Sequence, residues 1–199
     1  MFKLLKRFIL LVLVIPLAAC FGVELDLEFH DDETVTMTTF MSFSKDAFEM
    51  MGATEGDGGM CDGAETIVSE TDVTCVQTET LSLQAAISNG LTAGDKNSGQ
   101  GMNAAIRRIN DNVLAISLPI ETSGSPVGAE GSDPDMEAAF LESFKGQNFK
   151  IWVTGKKILA SNGFVTEDGR STVLSLTMVE LMQGADIVPE SFEVVFEYR

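Results

Sequence analysis

The sequence predicts an α+β fold: a mostly antiparallel, curved β-sheet built from hairpins, with two or three short helices. Three observations predict it. Residues 23–43 alternate apolar and polar side chains on both sides of an acidic turn, which is the period of strands with one dry face. The last third of the chain reads as short β-branched and aromatic runs punctuated by Gly and Asn. The candidate helices are short and segregated from the strands rather than alternating with them.

The N-terminus comes first. Lys3, Lys6 and Arg7 precede an almost wholly apolar run over residues 8–17, and Leu17-Ala18-Ala19 then lead into Cys20. This is the layout of a secretory signal peptide, with basic, apolar and small-residue regions in that order. An uncleaved membrane anchor is the competing reading. The apolar run over residues 8–19 contains Pro16 and falls well short of the roughly 20 residues that span a bilayer. The ending at Cys20 resembles the lipobox of bacterial lipoproteins. That resemblance implies acylation of the Cys20 thiol and cleavage before it. The chain then divides into residues 1–19, a cleaved lipoprotein signal peptide, and residues 20–199, a single lipid-anchored α+β domain.

The first hairpin follows directly. Val23, Leu25, Leu27 and Phe29 alternate with Glu24, Asp26, Glu28 and His30. After Asp31-Asp32-Glu33 the pattern resumes with Val35, Met37, Thr39, Met41 and Phe43 opposite Thr34, Thr36 and Thr38. Ser44 reads as the N-cap of a helix over residues 45–51, ended by Gly52. Strands are expected over 66–68 and 73–78, and a helical turn over 81–87 ended by Asn89-Gly90. A polar loop spans 94–101. A second hairpin runs over 104–109 and 113–120 around Asn110-Asp111-Asn112. Residues 121–132, rich in Gly, Ser and Pro, read as a linker or mobile loop.

Asp133-Pro134-Asp135 has the chemistry of a helix start. Met136, Phe140 and Phe144 give the helix an apolar stripe that Gly146 ends; such a stripe ordinarily packs on a core. Strands are then expected over 149–154, 158–160 and 171–177. A turn of helix over 179–182 and a final strand over 192–198 complete the chain. Phe192, Val194, Phe196 and Tyr198 share one face of that last strand.

Composition excludes several function classes. Loss of residues 1–19 removes three of the 13 basic residues and none of the 30 acidic ones, leaving 10 against 30, or −20. A surface so acidic repels phosphate backbones, and the only adjacent basic pairs are Arg107-Arg108 and Lys156-Lys157, too few for a nucleic-acid footprint. It also argues against an electrostatic grip on anionic head groups, so membrane attachment is assigned to the acyl anchor.

With Cys20 acylated, Cys61 and Cys75 remain as an even pair in an oxidising compartment, which predicts a disulfide. A redox pair is the alternative, but the spacing is not Cys-x-x-Cys. Catalysis finds little support. The single histidine, His30, lies beside Asp31, Asp32 and Glu33, where a solvated acidic turn is preferred to a hard-cation site. Residues 57–65 miss the calcium-loop pattern, and no nucleophile elbow or phosphate loop is present. The expectation is no enzyme, no catalytic or metal residues and no cofactor.

Two stretches together resemble the LppM-like family of bacterial envelope lipoproteins. One runs from Val23-Glu24-Leu25-Asp26 through Phe29-His30-Asp31-Asp32-Glu33-Thr34-Val35 and on to Phe43 and Ser44-Lys45-Asp46. The other is Val153-Thr154-Gly155-Lys156-Lys157-Ile158-Leu159-Ala160-Ser161-Asn162-Gly163, followed by Asp168-Gly169-Arg170-Ser171-Thr172-Val173. The chain departs from the family at Thr154, where a proline is common, and has no apolar segment of membrane length before Arg199. The resemblance implies a compact α+β domain at the cell envelope and, for some members, binding of lipid-like molecules. It carries over no ligand residues.

The expected function is therefore a cell-envelope lipoprotein that binds a lipid or other hydrophobic ligand. The Met-rich first half (Met37, Met41, Met50, Met51, Met60, Met102) and a cleft under the 134–144 helix are its candidate apolar surfaces, with core filling as the plainer account of the same residues. The alternative is a structural or assembly lipoprotein that docks a protein partner on an open strand edge, with residues 192–198 as the candidate. Phe21 rather than Asp after Cys20 points by analogy to the periplasmic face of the outer membrane if the source is Gram-negative.

Overall fold

The computed structural model describes residues 22–50, 61, 63–93, 102–120, 141–142, 144–183 and 188–199. Cys20 and residues 1–19, where a signal peptide is expected, lie outside the described residues. So do the helix end at Met51 and Gly52, the loop over 94–101, the linker over 121–132, and residues 134–140 of the proline-initiated helix.

Twelve strands and three short helices are described. The first hairpin is β1 (Gly22–Phe29) and β2 (Thr34–Ser44), paired antiparallel from Gly22↔Ser42 to Phe29↔Val35. The buried residues of β1 are Leu25, Leu27 and Phe29, the apolar set of the alternation. Asp32 closes the turn. Its Oδ1 accepts from the Thr34 amide at 3.1 Å and the Thr34 hydroxyl at 2.6 Å, while Glu33 takes φ 62°. Helix α1 (Lys45–Met50) follows, then β3 (Glu65–Val68) and β4 (Asp72–Ser82). Ser82 caps α2 (Leu83–Asn89) by accepting from the Ala85 amide at 3.2 Å, and Gly90 ends that helix at φ 73°. The short β5 (Leu91–Ala93) was not anticipated.

The second hairpin is β6 (Met102–Arg108) and β7 (Val113–Pro119). Leu141 and Glu142 are helical, and Gly146, with φ 83°, is the last residue of the turn over 144–146. The remainder is β8 (Asn148–Thr154), β9 (Lys157–Ser161), β10 (Phe164–Val165), β11 (Ser171–Thr177), α3 (Met178–Gln183) and β12 (Ser191–Glu197).

The strands form two sheets, not one. The larger has the order β10-β11-β8-β1-β2-β4-β3 and the smaller β5-β6-β7-β12-β9. Their apolar faces share one continuous core that includes Leu25, Leu27, Ile151 and Val153 from the first sheet and Leu114, Phe192 and Phe196 from the second. Two alternating faces of this size stay dry only against each other. Pairing is antiparallel except between β1 and β8, which run parallel from Val23↔Phe149 to Glu28↔Thr154. A parallel pair needs a long crossover, here the whole chain between Phe29 and Asn148.

One expectation is overturned. The strand over residues 192–198 is no edge: β12 lies between β7 and β9. Phe192 and Phe196 are fully buried and Val194 nearly so against the main core, while ladders to β7 and β9 occupy both edges of the strand. The end of a chain is not the edge of a sheet. The edges of the larger sheet are β10 and β3, and β3 is exposed along its length.

Two glycines of the second resemblance stretch are needed for close approach. A Cβ on Gly155 would lie 2.6 Å from the Phe196 ring and 2.8 Å from the Glu197 carbonyl oxygen. On Gly163 it would lie 2.6 Å from the Val173 carbonyl oxygen and 2.7 Å from the Phe192 ring. Only glycine lets these turns pack against β12 and β11.

Candidate functional site

Cross-strand register assigns the outer face of the larger sheet residue by residue, because paired positions share a face. One row of that face reads Phe164–Val173–Trp152–Asp26–Thr38–Thr78 across six strands. Phe164 is 71% exposed, and Val173 and Trp152 are half-buried. The row therefore begins as an apolar strip and ends at a carboxylate.

Two polar atoms stand out there. Asp26 Oδ1 and Trp152 Nε1 are both shielded from solvent and neither has a hydrogen-bond partner. Their residues are directly paired across β1 and β8. Burial pushes the Asp26 carboxyl above the ordinary aspartate range, and the neighbouring Glu28 and Glu24 carboxylates push it further in the same direction. An indole donor and a carboxyl oxygen on paired residues, both shielded and unpartnered, are costly to leave so. They suit a ligand atom able to accept from the indole and donate to, or share a proton with, the carboxyl.

Glu24, Glu28 and Lys150 flank the row on the same face, with Phe40 and Val76 beyond Glu24, and a lattice of hydroxyls pairs across β2 and β4. Thr36 meets Thr80 at 3.2 Å, Thr38 meets Thr78 at 3.3 Å and Ser42 meets Thr74 at 3.0 Å. His30 Nε2 lies 3.0 Å from the Thr36 hydroxyl, so the single histidine is bound into this lattice at the sheet's far end.

The acidic turn does not converge on a cation. Glu33 turns to Arg199 at 2.8 Å and Arg108 at 3.7 Å, while Asp32 is committed to Thr34. Tyr198, 2% exposed, accepts from Arg108 Nη1 at 2.8 Å and donates to the Asp111 carbonyl at 3.0 Å. Arg108 and Arg199 both lie over its ring. This clasp ties the chain end to the two hairpin turns. Among the described residues, no group of three or more His, Cys, Asp or Glu side chains is placed to hold a metal.

The disulfide joins Cys61 to Cys75 with a Cα–Cα distance of 5.3 Å. It belongs to a small second core of Phe43, Phe48, Val73 and Cys75. Met37 is buried in the main core and Met41 packs on the second, so these two methionines serve packing. A shallow depression of about 320 Å³ lies on the outer face of the smaller sheet between Arg107 and Glu193, over Ala105, Ala115 and Ser117. Among the described residues no helix is long and apolar enough to cross a membrane.

The sequence did not single out Asp26, Trp152 or Phe164. Asp26 reads as one more wet-face residue, and the three meet only through the pairing of β1, β8, β11 and β10. The only local signal was an acid flanked by two others, Glu24 and Glu28, on a half-dry strand.

Two face-packed sheets with short helices at their strand ends define a two-layer, strand-dominated α+β domain. The chain is similar in structure to the folded domain of LppM from Mycobacterium tuberculosis, with a TM-score of 0.51 and 15% identity over 90% of this chain and 91% of that one. The likeness is one of fold, and it extends the resemblance seen in two stretches of sequence. No protein-family model matches the chain, and no curated protein matches it significantly.

Expected from this geometry is a pH-dependent effect of Asp26→Asn. A carboxyl whose folded pKa is raised contributes stability that is present below its unfolded pKa and lost as pH rises through the folded value. At neutral pH the ionised, half-buried Asp26 therefore opposes folding, and the amide is expected to raise Tm by roughly a few degrees. The gain should vanish below the ordinary aspartate range. Equal Tm differences at pH 3 and pH 7 in thermal melts would contradict the assignment.

Proposed function

We propose that this chain is a bacterial cell-envelope lipoprotein, acylated at Cys20 and held outside the cytoplasm, whose domain binds a lipid or other hydrophobic ligand without catalysing a reaction. The observation that carries the ligand is the Phe164–Val173–Trp152 strip ending at two unpartnered polar atoms, Trp152 Nε1 and Asp26 Oδ1. An apolar strip with one polar station at its end is the layout for a molecule with a greasy body and a polar end. Location is supported by the ending Leu17-Ala18-Ala19-Cys20 behind a basic and apolar leader.

Two measurements test the reading separately. Mass spectrometry of the mature N-terminus is expected to show an acylated Cys20, and an unmodified cysteine overturns the anchored lipoprotein. Native mass spectrometry of a Cys20→Ser chain, combined with lysophospholipid titration followed by Trp152 emission, tests the ligand. Trp152 is the sole tryptophan, so its emission reports that face alone. Bound lipid with a blue shift is expected; lipid-free protein with unchanged emission refutes ligand binding there.

A further inference from the structure

We propose that the end of the domain carrying Gly22 is a seat on the lipid bilayer, with helix α3 as its principal contact. This rests on acylation at Cys20. Only Phe21 separates Cys20 from Gly22, and two residues reach about 7 Å at most. The acyl chains therefore hold the first residue of β1 at the membrane surface.

Register then says what shares that end of the molecule. The row level with Gly22 reads Thr177–Asn148 on one side and Ser42–Thr74–Ile67 on the other. Thr177 leads straight into α3, Met178-Val179-Glu180-Leu181-Met182-Gln183. No residue of this helix is fully buried, and only Leu181 packs on the main core. Its single charge is held against the helix start: Glu180 Oε2 accepts from the Thr177 amide at 2.7 Å and the Thr177 hydroxyl at 2.8 Å. Met178, Val179 and Met182 are each half-buried and are the apolar side chains that α3 has left to offer. On the other flank Ile67 and Val68 are 52% and 41% exposed.

The opposite end is charged. β1 runs roughly 23 Å at about 3.3 Å per residue to the Asp31-Asp32 turn and the Glu33–Arg108–Arg199 clasp. The near end also carries Asp46, Glu49, Glu70, Asp72, Glu142 and Glu180 against Lys45 and Lys145. That balance favours a zwitterionic surface over an anionic one. Short apolar contacts of this kind hold weakly alone and become effective when the anchor supplies proximity.

The test uses the acylated mature protein in phosphatidylcholine vesicles, with reporters placed on a Trp152→Phe background. Met182→Trp and Val68→Trp report the seat, and Asp31→Trp reports the far end. With bromine-labelled phosphatidylcholine, Met182→Trp and Val68→Trp are expected to lose most of their emission and Asp31→Trp almost none. Vesicle flotation is read in parallel. Protein that floats with Met182→Trp and Val68→Trp unquenched overturns the seat and leaves the anchor standing. Equal quenching at all three positions also overturns it, as does a blue shift at Met182→Trp that bromine does not quench, which points to a second copy instead. Failure to float removes the anchor, and the seat with it. Replacing part of the lipid with phosphatidylglycerol should weaken the quenching at Met182→Trp; stronger quenching would contradict the charge argument.

Discussion

Phe196→Ala should lower stability by about 3–5 kcal/mol, the usual cost of deleting a buried phenyl group, and lower Tm by roughly 10 °C at a few degrees per kcal/mol. Phe196 is fully buried and is the hinge of the packing between the two sheets. Its ring lies 4.7 Å from that of Phe29 at 58°, which joins the last strand of the smaller sheet to the first strand of the larger one. The backbone at Gly155 presses on the same ring from the turn between β8 and β9. Three elements would have to collapse together to fill the hole, and each is already held by its own ladder, so little relaxation is available. Phe164→Ala is the matched comparison. That ring is 71% exposed, and its loss should leave Tm within the range of ordinary surface changes. Thermal or urea unfolding measures both, and equal destabilisation by the two variants would disprove the two-sheet packing.

The second large effect is expected from the disulfide. The double variant Cys61→Ser with Cys75→Ala should lose about 3 kcal/mol, the chain-entropy value for a closed segment of ~15 residues. The loss should be local in character. Along the inner face of β2 and β4 the apolar positions fall into two groups. Val35 and Met37 belong to the main core, whereas Phe43, Val73 and Cys75 belong with Phe48 to the second. Half-buried Thr39 and exposed Gln77, which are paired, lie between the groups. A cluster of four buried residues stabilises little by itself, so the covalent link to Cys61 is what keeps it closed. Hydrogen exchange is therefore expected to accelerate in β3 and around Phe43 and Val73, while Leu27, Ile151 and Phe196 keep their protection. Uniform acceleration through both cores would show that the small cluster is not a separate unit.

Much of the secondary structure was legible because each alternation answers to a local cause. Leu25, Leu27 and Phe29 against Asp26 and Glu28 admit only a strand with one dry side. Ser82 and Gly90 bracket a two-turn helix that buries Leu83 and Ala86. Strand ends were less well placed. β4 runs to Ser82 rather than stopping at Thr78, because the ladder to β2 continues through Thr34↔Ser82 and supports residues whose own pattern is mixed. The short β5 and β10 carried no usable period, and each exists through its partner strand.

The candidate site was not legible. Asp26 and Trp152 are separated by most of the chain and meet through a parallel pairing that no hairpin implies. The same pairing sets Phe164 in line with them. Placement of the last strand likewise came from tertiary structure: Phe192, Val194 and Phe196 announced a buried face, but burial of a face is indifferent to whether a strand lies at the edge or the centre of its sheet. By itself the sequence determined the acidic balance, the hairpins, the cap of α2 and the pairing of two cysteines, since each depends on neighbours or on counting. Only the tertiary structure decided the division into two sheets, the β1–β8 pairing, the polar pair at Asp26 and Trp152, and which end of the molecule Gly22 shares with α3. These follow from which strands find each other across long stretches of chain, a choice made by the summed fit of whole faces and recorded in no single residue.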